Sequence, residues 1–486
     1  MRDIRKLLFI TGVATVTPVI IQARDKLPNI VIFFMDDMGY GDLTITGASG
    51  YNTPTIDRLA SEGMFFTHFY AAQPISSASR AGLITGCYPN RVGISGALMP
   101  QGRIGVAPNE ETLPEILKTR GYSCGMVGKW HLGHLYPFLP LQQGFDEYLG
   151  LPYSNDMWPV DYDGNRVTPA SNLPNKLRHP ALPLIDGNEK IRELWTLDDQ
   201  AELTTLYTER AIQFIKKNRE QPFFLYFAHS MPHVPLAVSN KFKGKSKQGL
   251  YGDVMLEVDW SVQQVLETIE ELNLDENTLI IFTSDNGPWF SFGNHAGSTG
   301  GLREAKATTF EGGQRVPCIM RWKGVIPRGT VCNQLASTID ILPTLASLTG
   351  AELPKKKIDG VNIEKLLYSM NVESPRKYLL YYYGENNLEA IRNDRFKLVF
   401  PHEHATYLEA GVDGYPGKIG REHIDLSLYD LRRDPGERYD VKDQYPEVIR
   451  LLQSIAEEAR LDLGDDLTGQ IGLNRREVGY ICLLYT

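Results

Sequence analysis

The chain has 486 residues, 42% hydrophobic and 22% charged, the profile of a globular protein long enough for a large α/β domain with a smaller companion. Its net charge of -9 excludes a broad basic field, and with it general binding to nucleic acid or anionic membranes. Five cysteines without CxxC spacing exclude a clustered zinc site and a dense disulfide framework, and their odd number leaves at least one thiol unpaired.

At the N-terminus, Arg2, Arg5 and Lys6 precede the apolar run LLFITGVATVTPVII and then IQA. A basic start, a short apolar stretch and a small residue predict a secretory signal over residues 1–23, and hence an exported protein, periplasmic or extracellular. The run is short for a membrane span and no second candidate follows, so no integral span is expected. Next comes NIVIFFMDD (29–37), a strand of β-formers ending in two carboxylates. In TPTIDRLASEG, Thr53 stands as N-cap, Pro54 opens the helix and Gly63 ends it.

The stretch PISSASRAGLITG (74–86) concentrates three serines ahead of an arginine. A helix beginning near Ser76 places Arg80 on the same face one turn on and sends Leu83 and Ile84 toward the core. A helix start beside an arginine attracts anions. The same string also suits a capped helix with ordinary serines.

Three further strand-like runs follow: SCGMVGKWH (123–131), PFFLYFAHSMPH (222–233) and NTLIIFTSDNG (277–287). Each passes from β-formers into polar residues at its carboxyl end. Met255, Val258, Val262, Val265, Leu266, Ile269 and Leu272 mark an amphipathic helix between the last two. This alternation predicts an α/β fold, a large mostly parallel sheet sandwiched by helices. In such sheets ligands bind at the carboxyl ends of strands, so the polar residues converge by topology. Beyond STIDILPTLASLTG and the Pro- and Lys-rich AELPKKKIDG the pattern changes. YLLYYYGENN, EAIRNDRFKLVF and LSLYDLRRDPGE read as antiparallel strands, followed by a helix near 446–461. A large α/β unit over 24–375 and a smaller α+β unit with an antiparallel sheet over 376–486 are therefore expected. The terminal YICLLYT suits an edge strand and receives no function.

Asp36, Asp37, Asp285 and Asn286 lie at two strand ends. Adjacent carboxylates are costly together unless a cation compensates them, and three carboxylates with an amide form an all-oxygen set suited to Ca²⁺ or Mg²⁺. Each pair by itself also reads as a turn. Lys129, His131 and His233 end the other two strands and suit anion stabilisation and proton transfer, while His229 reads as structural. Lys306, in LREAKATTFEGG, adds a further cation or is a surface lysine.

These residues resemble the type I sulfatases of the alkaline-phosphatase-like superfamily. The similarity runs from Asn29 to the C-terminal unit. The family's first signature, Cys or Ser, any residue, Pro or Ala, any residue, Arg, is matched by Ser76-Ser77-Ala78-Ser79-Arg80 and continues into Leu83-Ile84-Thr85-Gly86. Its second is close to GYSCGMVGKWH, with Cys124 where Ser or Thr is usual. Ala78 in place of Pro matches the serine-type members.

The resemblance implies that Ser76 is oxidised to formylglycine, hydrated to a geminal diol, by a radical S-adenosylmethionine maturase acting before export. It implies Ca²⁺ held by Asp36, Asp37, Asp285 and Asn286. Arg80 would stabilise the diol, and Lys129 and Lys306 the sulfate oxygens. The diol would attack sulfur while His233, with Lys306, assists departure of the alcohol, and His131 would take the remaining hydroxyl proton. The diol adduct collapses by C–O cleavage, whereas a plain serine ester would be a trap. His233 matches the family's His-x-Pro ending better than His229, and Ser154 aligns with a position near sulfate.

Around LGLPYSNDMWPV (149–160) the chain resembles arylsulfatase A-like and galactosamine-sulfatase-like members. His134, Asn155 and Asp156 are candidate sugar contacts, and Trp158 is either a stacking platform or core. The implied reaction is exo-acting removal of a 4-O- or 6-O-sulfate from galactose or N-acetylgalactosamine in a sulfated saccharide. Two alternatives stand beside it: a phosphodiester or phosphonate ester hydrolase of the same superfamily, and a non-catalytic sulfated-glycan binder if Ser76 stays unmodified. Lys129 and Lys306, where phosphate-cleaving relatives use a second metal, favour a sulfate monoester.

Overall fold

The computed structural model describes residues 26–482. The expected signal over 1–23 and the last four residues of YICLLYT lie outside the described residues.

The central strand Asn29–Met35 is buried along its whole length. Ile30, Ile32 and Phe34 enter one hydrophobic core, and Val31, Phe33 and Met35 enter another. A strand's side chains alternate between faces, so an unbroken apolar run fills both sides of a covered sheet. Helices Ser76–Thr85 and Ile341–Thr349 contribute to the first core, and helices Leu203–Lys217 and Gly249–Glu271 to the second.

The described residues form a ten-stranded sheet. Its centre is parallel: Thr278–Ser284, Asn29–Met35, Phe223–Ala228, Ser123–Lys129 and Glu147–Leu151 lie side by side in that order. Outside this centre the sheet is mixed. Cys318–Trp322 runs antiparallel to Thr278–Ser284, and the hairpin Leu182–Asp186 with Glu189–Leu194 extends the opposite edge. These short, partly polar edge strands carry no alternation strong enough to be read in advance. The five parallel strands end together, which sets their polar termini along one rim.

Thr53 and Gly63 bracket helix Pro54–Glu62, although the Thr53 hydroxyl bonds the Asp57 carboxylate rather than a helix amide. Cys124 and Cys318 are buried among apolar neighbours. The five cysteines are free thiols.

Leu379–Tyr383, Asn387–Arg392, Phe396–Val399 and Ser427–Asp430 form a separate four-stranded antiparallel sheet. Helix Pro446–Leu463 covers it through Leu452 and Ala456, in a core that also takes Tyr70, Tyr88 and Phe310 from the larger part. Across this seam Lys397 is wholly buried between Glu311 and Glu437, at 3.3 and 2.8 Å. Removing one member of such a group would strand a buried charge, so the two parts are firmly joined. A hairpin of His402–Tyr407 and Ile419–Ile424 reaches back toward the rim of the large sheet. Gly479–Tyr480 pairs with Ile104–Gly105, which gives the start of the terminal YICLLYT segment an edge-strand partner.

Candidate active site

The register of the sheet builds the site. Met35 pairs with Ser284, so Asp36-Asp37 and Asp285-Asn286 leave two neighbouring strands at one level. Asp37 has φ 61° and donates its backbone N–H to Asp285 Oδ1 at 3.1 Å, while Asn286 Nδ2 donates to Asp37 Oδ1 at 2.7 Å. The four residues are between 0 and 3% exposed.

Lys129 ends the strand two places away. Gly128, at φ 100°, lets that strand pass its neighbour: a Cβ there would lie 1.7 Å from the Ala228 carbonyl. Lys129 Nζ then reaches Asp36 Oδ2 at 2.6 Å, Ser154 Oγ at 3.2 Å and Ser76 Oγ at 3.3 Å. Burial works to raise the Asp36 carboxyl, but Lys129, His233 and Arg80 together hold it below the usual carboxylate range.

Ser76 is the first residue of helix Ser76–Thr85, every residue of which is buried. Its Oγ donates to Asp36 Oδ1 at 3.1 Å. One turn on, Arg80 contacts Asp285 Oδ2 through Nε and Nη2 at 3.1 and 2.8 Å and the Lys129 carbonyl at 3.0 Å. It also lies 3.3 Å from Asp36 Oδ1, the oxygen that Ser76 uses. The three serines therefore part ways: Ser76 meets the carboxylates, Ser77 Oγ accepts from the Leu98 N–H at 2.9 Å, and Ser79 Oγ is buried without a partner.

His131 has φ 60°, and its Nε2 lies 3.0 Å from the Leu98 carbonyl. A carbonyl can only accept, so Nε2 carries the proton and Nδ1 keeps its lone pair. Nδ1 is buried and unpartnered. Burial, then Lys129 and Arg80, press the His131 pKa well below its ordinary value, which leaves a neutral base.

His233 sits between two cis-prolyl bonds. Its Nε2 is 3.5 Å from Asp37 Oδ2, and its ring lies 5.6 Å from that of Trp289. Lys306 Nζ reaches Asp37 Oδ1 at 2.8 Å and lies 4.5 Å over Trp289. Burial acts to lower the Lys306 pKa, and Asp37 and Asp36 outweigh it and raise it. Glu304 and Ala307, on either side, hold left-handed backbone. With Asp37 and His131, this puts four strained non-glycine residues at one rim, a pattern typical of functional sites.

His229 stands apart. It stacks on Phe227 at 4.1 Å, is fully buried, and meets Ser261 at 3.4 Å. Asn155 is also fully buried, and its Nδ2 lies between Gln200 Oε1 and the carbonyls of His233 and Pro235. Expected as a sugar contact, it braces the His233 loop through Nδ2, while its Oδ1 is buried without a partner. Asp156 lies in the wall of an adjoining cavity with Oδ1 unpartnered, and His134 packs edge-on against Tyr153. Trp158 is core, 1% exposed. Leu98, Trp289 and Tyr407, whose hydroxyl meets the Lys306 carbonyl, complete the site without any motif to announce them, and Ser77, at a variable position of the signature, braces Leu98.

Three carboxylates thus face three strong cations, Asp36, Asp37 and Asp285 against Arg80, Lys129 and Lys306, around one buried hydroxyl. Such a cluster can hold a divalent cation and an anionic ester together.

The Sulfatase family profile matches residues 28–351, and the C-terminal region of aryl-sulfatase matches 374–482. Mouse (Mus musculus) N-acetylgalactosamine-6-sulfatase is 37% identical over 481 residues, covering 92% of this chain and 88% of its own. Human (Homo sapiens) arylsulfatase A is 36% identical over 455 residues, covering 88% and 86%. Among solved structures, the PsFucS1 sulfatase from Pseudoalteromonas sp. superposes with a TM-score of 0.82 at 27% identity, covering 93% of this chain and 92% of that one.

Proposed function

Since the chain belongs to the sulfatase family and is a sulfuric ester hydrolase, we propose that it removes a 4-O- or 6-O-sulfate from a terminal galactose or N-acetylgalactosamine of a glycan. The observation that carries this reading is the contact of Ser76 Oγ with Asp36 and Lys129 in a buried cluster of three carboxylates and three cations. The mouse relative's name supports the sugar class.

The residues fit a divalent cation. The Asn286 side-chain oxygen is buried without a partner, and with Asp36, Asp37 and Asp285 it forms a hard, all-oxygen donor set suited to Ca²⁺. Asp36, Asp37 and His233 also each offer a possible ligand atom within 4.8 Å of the others. We assign Asp285 and Asn286 rather than His233 to the cation, since Ca²⁺ prefers oxygen and His233 is better used for proton transfer. Bound there, the ion would polarise a sulfate oxygen and favour an ionised nucleophile. Ser76, as formylglycine made by a radical S-adenosylmethionine maturase before export, would supply a nucleophile whose ester can collapse without a second attack on sulfur.

The chain's own residues do the rest. Arg80 neutralises Asp285 and Asp36 and holds the helix start against them. Lys129 and Lys306 face the sulfate oxygens, where a fixed positive charge lowers the barrier as charge builds. Ser154 orients Lys129. His233, turned by its Nδ1 contact with the Val234 carbonyl, presents Nε2 as the acid toward the departing sugar oxygen. His131 Nδ1 takes the last proton.

Peptide mass analysis of Ser76 in protein from its native cell, beside sulfate release from 4-O- and 6-O-sulfated galactose, N-acetylgalactosamine and N-acetylglucosamine, tests the proposal. The expected results are a loss of two hydrogens at Ser76 and action on the galacto-configured sugars. A wholly unmodified Ser76 there overturns the mechanism, and exclusive action on a gluco-configured sugar overturns the substrate.

A further inference from the structure

A cavity of about 140 Å³ lies beside the catalytic cluster and shares Trp289 with it as a wall. That is the volume of about five waters, on the scale of one sugar ring and not two. Its polar lining comes from three distant segments, Asp156, Asp161 and Lys176, then His295, then Asp413 at the tip of the C-terminal hairpin, and Trp289 with aliphatic side chains such as Val234 and Leu250 forms the apolar wall. The segments are locked together. The Tyr162 ring lies 5.3 Å from Tyr415 and 6.5 Å from Phe292, and Asn294 Nδ2 donates to Asp413 Oδ1 at 2.8 Å.

The charged side chains of this cavity are mostly acidic, whereas those of the neighbouring cluster balance. Three carboxylates line it against one ammonium. Lys176 lies over the Tyr162 ring at 5.2 Å and 3.5 Å from the Asp156 carbonyl. His295 is held below its ordinary pKa by burial and adds no charge at neutral pH. Asp156 Oδ1 is a buried acceptor with no partner. An unpaired buried acceptor beside an aromatic face is suited to a hydroxyl and a C–H surface, which are the two faces of a sugar ring.

Resting on the sulfatase reading, we propose that this cavity is the leaving-group pocket for one uncharged sugar ring bearing a single sulfate, and that it rejects a ring carrying a second sulfate or a carboxylate. Asp156 Oδ1 accepts a ring hydroxyl, and Trp289 lies against the ring. Within the lining Lys176 alone offsets Asp156, Asp161 and Asp413, while His233, Lys306 and Lys129 act on Asp156 from the catalytic side; a second anion held toward Asp161 and Asp413 meets like charge, and like charges brought together across an interface are strongly disfavoured.

Binding is measured by calorimetry on the Ser76→Ala protein, which separates recognition from turnover. The ligands are N-acetylgalactosamine 4-sulfate, its 6-sulfate and its 4,6-disulfate. The better monosulfate is expected to bind at least about tenfold more tightly than the disulfate. In the same background Asp156→Asn and Asp413→Asn, the latter an asparagine at a left-handed position it tolerates, are each expected to narrow that ratio. Equal or tighter binding of the disulfate, an unchanged ratio in both variants, or no binding of any of the three overturns the assignment. Sulfate release by the matured wild-type enzyme is scored separately: selective binding without release rejects the catalytic reading and leaves the pocket standing.

Discussion

The hydroxyl of Tyr407 donates to the backbone carbonyl of Lys306 at 2.5 Å, so a hairpin of the C-terminal part holds the loop that brings the Lys306 ammonium to Asp37. The same hairpin fixes that loop through Thr406 on Glu304 at 2.9 Å, next to the left-handed residues Glu304 and Ala307. The smaller sheet is thereby joined to the chemistry of the larger one.

Tyr407→Phe keeps the ring against Phe290 and deletes one hydrogen bond. Loss of a bond worth about 1 kcal/mol predicts a slightly lower Tm, and a kcat lowered by up to about fivefold to the extent that the bond holds Lys306 in place, with KM little changed. If Tyr407 acts through Lys306, the double variant with Lys306→Ala falls no further than Lys306→Ala alone. Full additivity in that cycle would remove the link.

The serines of the 76–79 turn are predicted to separate sharply. Ser77→Ala leaves the buried Leu98 N–H without its partner, a cost of about 1–3 kcal/mol, and loosens the carbonyl that orients His131. Both Tm and kcat should drop. Ser79→Ala removes an oxygen that has no partner, so both quantities should stay near wild type. Thermal scans and sulfate release on the two variants read this directly; equal behaviour would contradict the assignment.

Cation binding should appear as stability independently of activity. Calcium at a hundred times its dissociation constant would add about 2.7 kcal/mol to the folded state. The expected outcome is a Tm that climbs with added calcium, returns on chelation and becomes insensitive in Asp37→Asn. A Tm unmoved by calcium in the wild type would count against the ligand set.

Acid sensitivity has a defined source in His229. Burial lowers its pKa to about 3, against about 6.5 for an exposed histidine. The unfolded chain therefore binds the extra proton first, and this contribution to stability is complete above about pH 6.5 and is lost as pH falls toward 3, at about 1.4 kcal/mol per unit. His229→Phe, stacked on Phe227, should flatten the fall of the denaturation midpoint between pH 6 and 4 relative to wild type. Parallel pH profiles in the two proteins would disprove the source.

Much of the fold was legible because its centre is simple: apolar runs buried on both faces, each ending in polar residues, alternating with helices of regular period. The mixed edges were not, since short half-exposed strands such as Glu189–Leu194 carry little hydrophobic signal. Asn155 illustrates the limit within the site. A polar residue beside a motif suggests a ligand contact, yet its amide nitrogen is directed to Gln200 and two backbone carbonyls and the residue is fully buried.

The sequence by itself determined the residue types of the cluster and the strand ends that bear them, because local pattern encodes secondary structure and a parallel sheet brings its strand ends together. Only the tertiary structure decided which serine meets Asp36, which ring nitrogen of His131 is left as a base, and which hairpin holds Lys306. Those facts depend on contacts across up to a hundred residues of chain and on backbone carbonyls, which every residue possesses and no motif distinguishes.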